Sequence, residues 1–148
     1  MKVVIDTNIL IGSTWDEFSH SKQIIDEVIA GNIESFATNA TIRENKLLLK
    51  KAVPSQKQKE FLEDYFARIQ EVRPRQRLQI VKDDPEDDKF FEAALEADVD
   101  YIITNDHHLL DIDKYRGIKV VRPSDFWLEY KNGDDDSARR QMLDLMGK

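Results

Sequence analysis

The chain contains no cysteine, which excludes disulfide staples, thiolate nucleophiles and zinc sites built on Cys. It has no run of about eighteen apolar residues, the length that a helix needs to cross a bilayer. The opening Met1-Lys2-Val3-Val4-Ile5-Asp6 reaches a carboxylate too early to serve as the apolar core of a signal peptide. The expectation is a soluble, cytoplasmic protein with no membrane association. Histidine is scarce, with three in all, so any metal falls mainly to oxygen ligands, a set that favours a hard cation such as Mg2+ or Mn2+. Basic charge is in deficit as well: the net charge is −7. That balance speaks at first against a polyanionic partner, because nucleic-acid affinity comes largely from Lys and Arg neutralising phosphates.

What is present fits one domain. At 148 residues, 41% hydrophobic and 34% charged, the chain can bury a single core and is too short for two. Its charge is unevenly placed. From Arg43 to Lys82 there are 11 Lys/Arg against 5 Asp/Glu, while the remainder carries 11 against 24. That stretch reads either as a basic wall beside an acidic site or as an ordinary solvated helical face.

Strand-like and helix-like segments alternate along the chain. Lys2 to Ile5 is a short β-branched run that enters a polar turn at Asp6-Thr7-Asn8. A helix is expected from about Trp15 to Ala30, with Phe18, Ile24, Ile25, Val28 and Ile29 at helical spacing and Gly31-Asn32 as its stop. Ile33 to Ala37 makes a second strand. Asn39 to about Ala52 forms a helix with Ile42, Leu47 and Leu48 as its apolar positions. Pro54-Ser55 restarts a helix that carries Phe61, Leu62, Tyr65, Phe66 and Ile69, and Pro74 breaks it. Leu78 to Val81 reads as a strand, Asp84-Pro85-Glu86-Asp87 as the start of a helix running to about Ala97, and Tyr101 to Thr104 as the next strand. A helical turn at Leu109 and Leu110, a strand from Ile118 to Val121 and a helix from Pro123 to Tyr130 follow. Connections of this length argue for an α/β fold with a mainly parallel sheet covered on both faces. Residues 1–130 form the expected domain, and 131–148 a polar tail that is either loose or docks on a partner.

In such sheets the ligand crevice lies beyond the carboxyl ends of the strands. Asp6 directly follows the first strand, and Asp106 follows Ile102-Ile103-Thr104 with one residue between. Glu44 and Asp87 lie in the first turns of helices that follow strands, so all four acids can face one crevice. Each also has an ordinary use: Asp6 and Asp106 as caps, Thr41 to Glu44 as a capping box, and Asp84 to Asp87 as an acidic helix start. Together they make those uses less sufficient, because four clustered carboxylates raise one another's pKa unless a cation neutralises them. A divalent ion held there can activate water and stabilise charge on a phosphoryl oxygen, the chemistry of phosphodiester hydrolysis. Asn8 and Thr104, on the same edge, can support the acids or a phosphate by hydrogen bonding.

Val3-Val4-Ile5-Asp6-Thr7-Asn8, a Glu on the helix after the second strand, Asp84-Pro85-Glu86-Asp87-Asp88-Lys89-Phe90 and Asp100-Tyr101-Ile102-Ile103-Thr104-Asn105-Asp106 resemble, in order and spacing, the motifs of the PIN-domain family. The resemblance is closest to the branch of toxin components of toxin–antitoxin pairs. It extends over roughly residues 1 to 130, including Val121-Arg122-Pro123-Ser124-Asp125-Phe126. It implies a three-layer α/β/α fold, Mg2+- or Mn2+-dependent endoribonuclease activity on RNA, a homodimer, and a cognate antitoxin that blocks the site. The family's acidic residues carry over to Asp6, Glu44, Asp87 and Asp106, as both catalytic and metal-ligating groups. Members of this branch often have Asn where this chain has Asp88, so either of the adjacent aspartates can be the inward one; Asp87 is the expected ligand.

Other signals carry less. The adjacent His107 and His108 can ligate a metal or shuttle protons, but on a turn they read as surface residues, as does His20. Asp111 and Asp113 read as a solvated loop. Trp15, Phe18, Phe61, Tyr65 and Phe66 read as core or a dimer face, with the Phe61 to Ile69 face as the candidate for self-association. Competing functions are a dehalogenase-like phosphatase, a two-component receiver, and a non-catalytic PIN-like module that binds RNA or protein. The first wants a second Asp where Asn8 stands, and the second a Lys after a late strand where Thr104-Asn105-Asp106 stands.

Overall fold

The computed structural model describes residues 1–52, 55–81 and 84–133. Of the expected tail 131–148, residues 131–133 continue the last helix and 134–148 lie outside the described residues, as do Pro54 and Lys82.

The first strand, β1 (Lys2–Ile5), runs through the middle of a six-stranded sheet because its residues are apolar on both faces. Val3 and Ile5 point to one side and Val4 to the other, and all three are buried, the pattern of a parallel strand covered twice. Its neighbours are β2 (Glu34–Thr38) and β4 (Tyr101–Ile103), both parallel, with Ile5 opposite Ile103. β3 (Gln70–Val72) pairs outside β2, and β6 (Ile118–Val121) outside β4, again in parallel. A two-residue β5 (Lys114–Tyr115) closes the far edge antiparallel to β6, giving the order β3-β2-β1-β4-β6-β5.

Helices cover both faces, so the fold is the three-layer α/β/α, mainly parallel arrangement. On one face α1 (Thr7–Trp15), α2 (His20–Ile29), α4 (Gln56–Phe66) and α7 (residues 123–133) bury Ile9, Leu10, Ile24, Ile25, Tyr65 and Phe126 against Val3, Ile5 and Ile103. On the other, α5 (Asp88–Ala97) and α6 (His107–Leu110) bury Phe90, Phe91, Ala94 and Leu109 against Val4, Ile102 and Val120. Phe91 is completely enclosed; truncating such a side chain costs about 3–5 kcal/mol through lost transfer energy and the cavity left behind. α3 (Asn39–Ala52) lies beside β2, with Thr38 Oγ1 accepting the Thr41 N–H at its start.

Several expectations are corrected. The first helix begins at Thr7 rather than about Trp15, breaks at residues 16–19, and restarts with Ser19 capping α2 through the Lys22 N–H. Phe18, expected on a buried stripe, falls in that break and is 90% exposed, and Trp15 is exposed too. The buried face of α3 is Thr41, Asn45 and Leu49, four residues apart, which turns Leu47 and Leu48 to solvent. Residues 78–81 form no strand: the Leu78 N–H donates to Glu92, and those of Ile80 and Val81 to Asp88, so carboxylates of α5 replace a ladder. The outer strand is Gln70–Val72 instead, after α4 has ended at Phe66. The β5–β6 hairpin was not anticipated; its two-residue turn, Arg116-Gly117, has positive φ at both positions (48° and 85°), as a type I′ turn requires. In the Phe61 to Ile69 segment Leu62 and Tyr65 enter the core, as the core reading has it, and Phe61, Phe66 and Ile69 pack partly buried against it. No helix among the described residues is long and apolar enough to cross a membrane.

Candidate active site

The register of the central strands sets Asp6 beside Thr104. Ile5 lies opposite Ile103, and the Asp6 N–H donates to the Ile103 carbonyl at 3.0 Å. The Thr104 hydroxyl, fully buried, donates to Asp6 Oδ2 at 2.7 Å and accepts the Asp106 N–H at 3.0 Å. One hydroxyl thus orients the residues that follow both strands. Asp106 also caps α6, its Oδ1 accepting the His108 N–H at 2.9 Å.

Asp87 completes this group from the 3₁₀ turn Pro85–Asp87, which Asp84 starts by accepting the Glu86 N–H. Its Oδ2 is buried and accepts no hydrogen bond among the described residues. Burial first, then the charges of Asp84, Asp106 and Asp6 and the close approach of the Asp106 side chain, push the Asp87 carboxyl up to about 7. Asp6 is also raised above the usual carboxylate range, chiefly by burial and further by Asp106, while the Thr104 hydroxyl and the amides of Asn8 and Thr7 oppose the shift. Those amides head α1 without a standard side-chain cap from Asp6. Asp88 points elsewhere: its buried carboxylate holds the amides of Ile80 and Val81 at 2.9 and 2.8 Å. Of the two adjacent aspartates, Asp87 is therefore the one coupled to Asp6 and Asp106.

Glu44 is not brought into this group. It lies on the exposed side of α3 and forms an ion pair with Lys89 of α5. Asn8 is exposed at the head of α1. Residues that the sequence reading passed over join the site's frame: Thr7 donates to the buried Asn45, next to Glu44, tying α1 to α3. The signal for Asn45 was its place four residues after Thr41 and four before Leu49; the signal for Lys89 was a cation in the first turn of a helix, against the macrodipole.

His107 and His108, the first two residues of α6, lie ring to ring at 4.2 Å. A groove of about 800 Å³ between α3 and α4, lined by Lys46, Leu49, Lys50, Lys59, Leu62 and Phe66, contains none of the four acids. It is apolar at its floor, with Lys46, Lys50, Lys59 and Glu63 at its rim, and it is separate from the carboxylates at the strand exits.

The chemistry of the group suits a hard divalent cation. All donors are oxygens, they repel one another, and one of them is buried without a partner among the described residues. As placed, no three His, Asp or Glu side chains among the described residues stand close enough to share an ion, and Glu44 is held by Lys89.

The fold is similar to that of one chain in the crystal structure of VapBC2 from Rickettsia felis bound to a DNA fragment from their promoter. The TM-score is 0.55 at 13% identity, over 82% of this chain and 98% of that one. A comparison with curated proteins finds no match. The PIN domain model matches residues 2–108, a span that holds all four acids, and the chain belongs to the PIN-domain family.

Proposed function

We propose that this protein is a divalent-metal-dependent endoribonuclease, hydrolysing RNA phosphodiesters with Mg2+ or Mn2+ at Asp6, Asp87 and Asp106, with Glu44 as the fourth acid. The observation that carries the reading is the buried, unpartnered Asp87 Oδ2 at the strand-exit edge, coupled to two further carboxylates. Asp87, whose carboxyl is pushed up to about 7 by burial and neighbouring acids, is where a cation gains most.

The chain's own part is orientation. Thr104 holds Asp6 and the Asp106 backbone through one hydroxyl, and Asp88 fixes the segment leading to the Asp87 turn. When bound, the ion supplies Lewis acidity, acidifying water and offsetting charge on a phosphoryl oxygen. Asn8, exposed on the same edge, is placed to hydrogen-bond a phosphate without adding charge.

In the same reading the protein is the toxin of a toxin–antitoxin pair, works in the cytoplasm as a homodimer, and is blocked by a cognate antitoxin protein. The similar fold of a chain in the VapBC2 structure supports this placement. A non-catalytic RNA- or protein-binding module is the second reading, favoured by the engagement of Glu44 with Lys89.

The deciding experiment incubates purified protein and a mixed single-stranded RNA with Mn2+, Mg2+ or EDTA, with Asp6→Asn as the contamination control. Metal-dependent cutting that disappears in the variant is expected. Mn2+ binding without cutting would move the weight to the binding module.

A further inference from the structure

Lys89 stands where local structure disfavours a cation. It is the second residue of α5, in the turn whose free N–H groups make the helix end positive. Acids are preferred there, and Glu86, Asp87 and Asp88 immediately precede it. Its side chain is nevertheless only 21% exposed, lies 5.6 Å from the Phe90 ring centroid and reaches across to Glu44 of α3, which is 49% exposed. Among the described residues this is the only ion pair made by any of the four candidate acids. Among the described residues the other three acids make no ion pair.

We propose that Lys89 is a displaceable counter-cation. Paired with Glu44, it keeps that acid from Asp6, Asp87 and Asp106; Glu44 would be given up when those three hold a divalent ion, and the released ammonium would then be free at the rim to bind a backbone phosphate of the substrate. This rests on the metal-dependent nuclease reading above. The parts suit the exchange. An ion pair with a half-exposed partner is weak and readily traded, and a lysine swings a compact charge on a flexible four-carbon stem without moving its helix. Loading of the ion and capture of the nucleic acid would then be coupled, since the charge withdrawn from Glu44 becomes available to a phosphate.

The test is calorimetric titration of the full chain with MnCl2 in the absence of nucleic acid, for wild type, Lys89→Gln, Lys89→Arg, Glu44→Gln and the Lys89→Gln/Glu44→Gln double variant, with circular dichroism to verify folding. Lys89→Gln should bind Mn2+ roughly two- to fivefold more tightly, because nothing competes for Glu44. Lys89→Arg should restore the wild-type affinity, and in the Glu44→Gln background the gain should vanish. A gain of equal size in that background would mean that Lys89 acts through its general field, and unchanged or weaker affinity in Lys89→Gln would overturn the exchange outright. Wild type that binds no Mn2+ would instead remove the metal-dependent reading itself. For the substrate half, the slope of log KM for the mixed RNA against log salt, taken in saturating Mn2+, should fall by about 0.7 in Lys89→Gln, one phosphate contact on a single strand; an unchanged slope refutes that half.

Discussion

Replacing Asp87 by asparagine keeps the side chain's shape and removes its charge, and the cluster's electrostatics make the consequence unusual. In the folded protein the carboxyl is raised from its ordinary 3.8 to about 7, so it holds its proton across a range where the unfolded chain has lost it. The folded state therefore binds more protons between those values, and stability declines as pH rises from about 4 to 7 and levels off above. At about 1.36 kcal/mol per pKa unit the full gap would amount to at most about 4 kcal/mol. Asp87 is only half-buried and water screens its neighbours' charges, so a discounted penalty of about 1–2 kcal/mol at pH 8 is the reasonable figure. For a chain of this size each kcal/mol moves Tm by about 2–4 °C. In EDTA, Asp87→Asn should accordingly melt within a degree or so of wild type at pH 4 and about 2–8 °C above it at pH 8. Adding Mn2+ at pH 8 should narrow or reverse the difference, because wild type gains a ligand-bound folded state and the variant gains less. Scanning calorimetry at the two pH values, with and without metal, measures all four points. Asp87→Asn melting at or below wild type at pH 8 in EDTA would refute the idea that Asp87 stands under repulsion.

Asp6→Asn and Asp106→Asn should each abolish metal-dependent RNA cleavage while circular dichroism remains that of the folded protein; full activity in both would sink the site assignment. Thr104→Val leaves Asp6 Oδ2 and the Asp106 N–H without their shared partner, and should cost about 1–3 kcal/mol in urea unfolding together with about 10–100-fold in Mn2+ affinity by calorimetry. Asp88→Ala frees the Ile80 and Val81 amides and should destabilise by about 1–3 kcal/mol, with limited proteolysis appearing in residues 73–81. An unaltered digestion pattern would mean that the carboxylate does not hold this segment.

The parts legible in the sequence were those whose burial is two-sided. Val3-Val4-Ile5 and Tyr101-Ile102-Ile103 are nearly continuous apolar runs because helices cover both faces of the sheet, and their exits place Asp6 and Thr104 side by side. Where tertiary partners decide, the pattern misled. Leu78 to Val81 has the composition of a strand, but its amides are met by Asp88 and Glu92 from α5 rather than by a neighbouring strand. Phe18 fits a helical stripe by spacing, yet Ser19 starts a new helix beside it and leaves the ring in solvent. Glu44 shows the limit for the site: its position after the second strand is readable, but its pairing with Lys89 joins residues 45 apart and cannot be read from either segment alone.

The two margins of the sheet have a bearing on how this protein can meet others. β3 offers three residues and β5 two, against an interior of longer or fully paired strands, and Pro74 removes a donor just past the end of β3. Edges this short give an incoming strand almost no backbone template to extend. Recognition of a protein partner is thereby left to side chains on the helical layers, where specificity can be written residue by residue, and the sheet is shielded from the edge-to-edge pairing through which parallel α/β proteins aggregate.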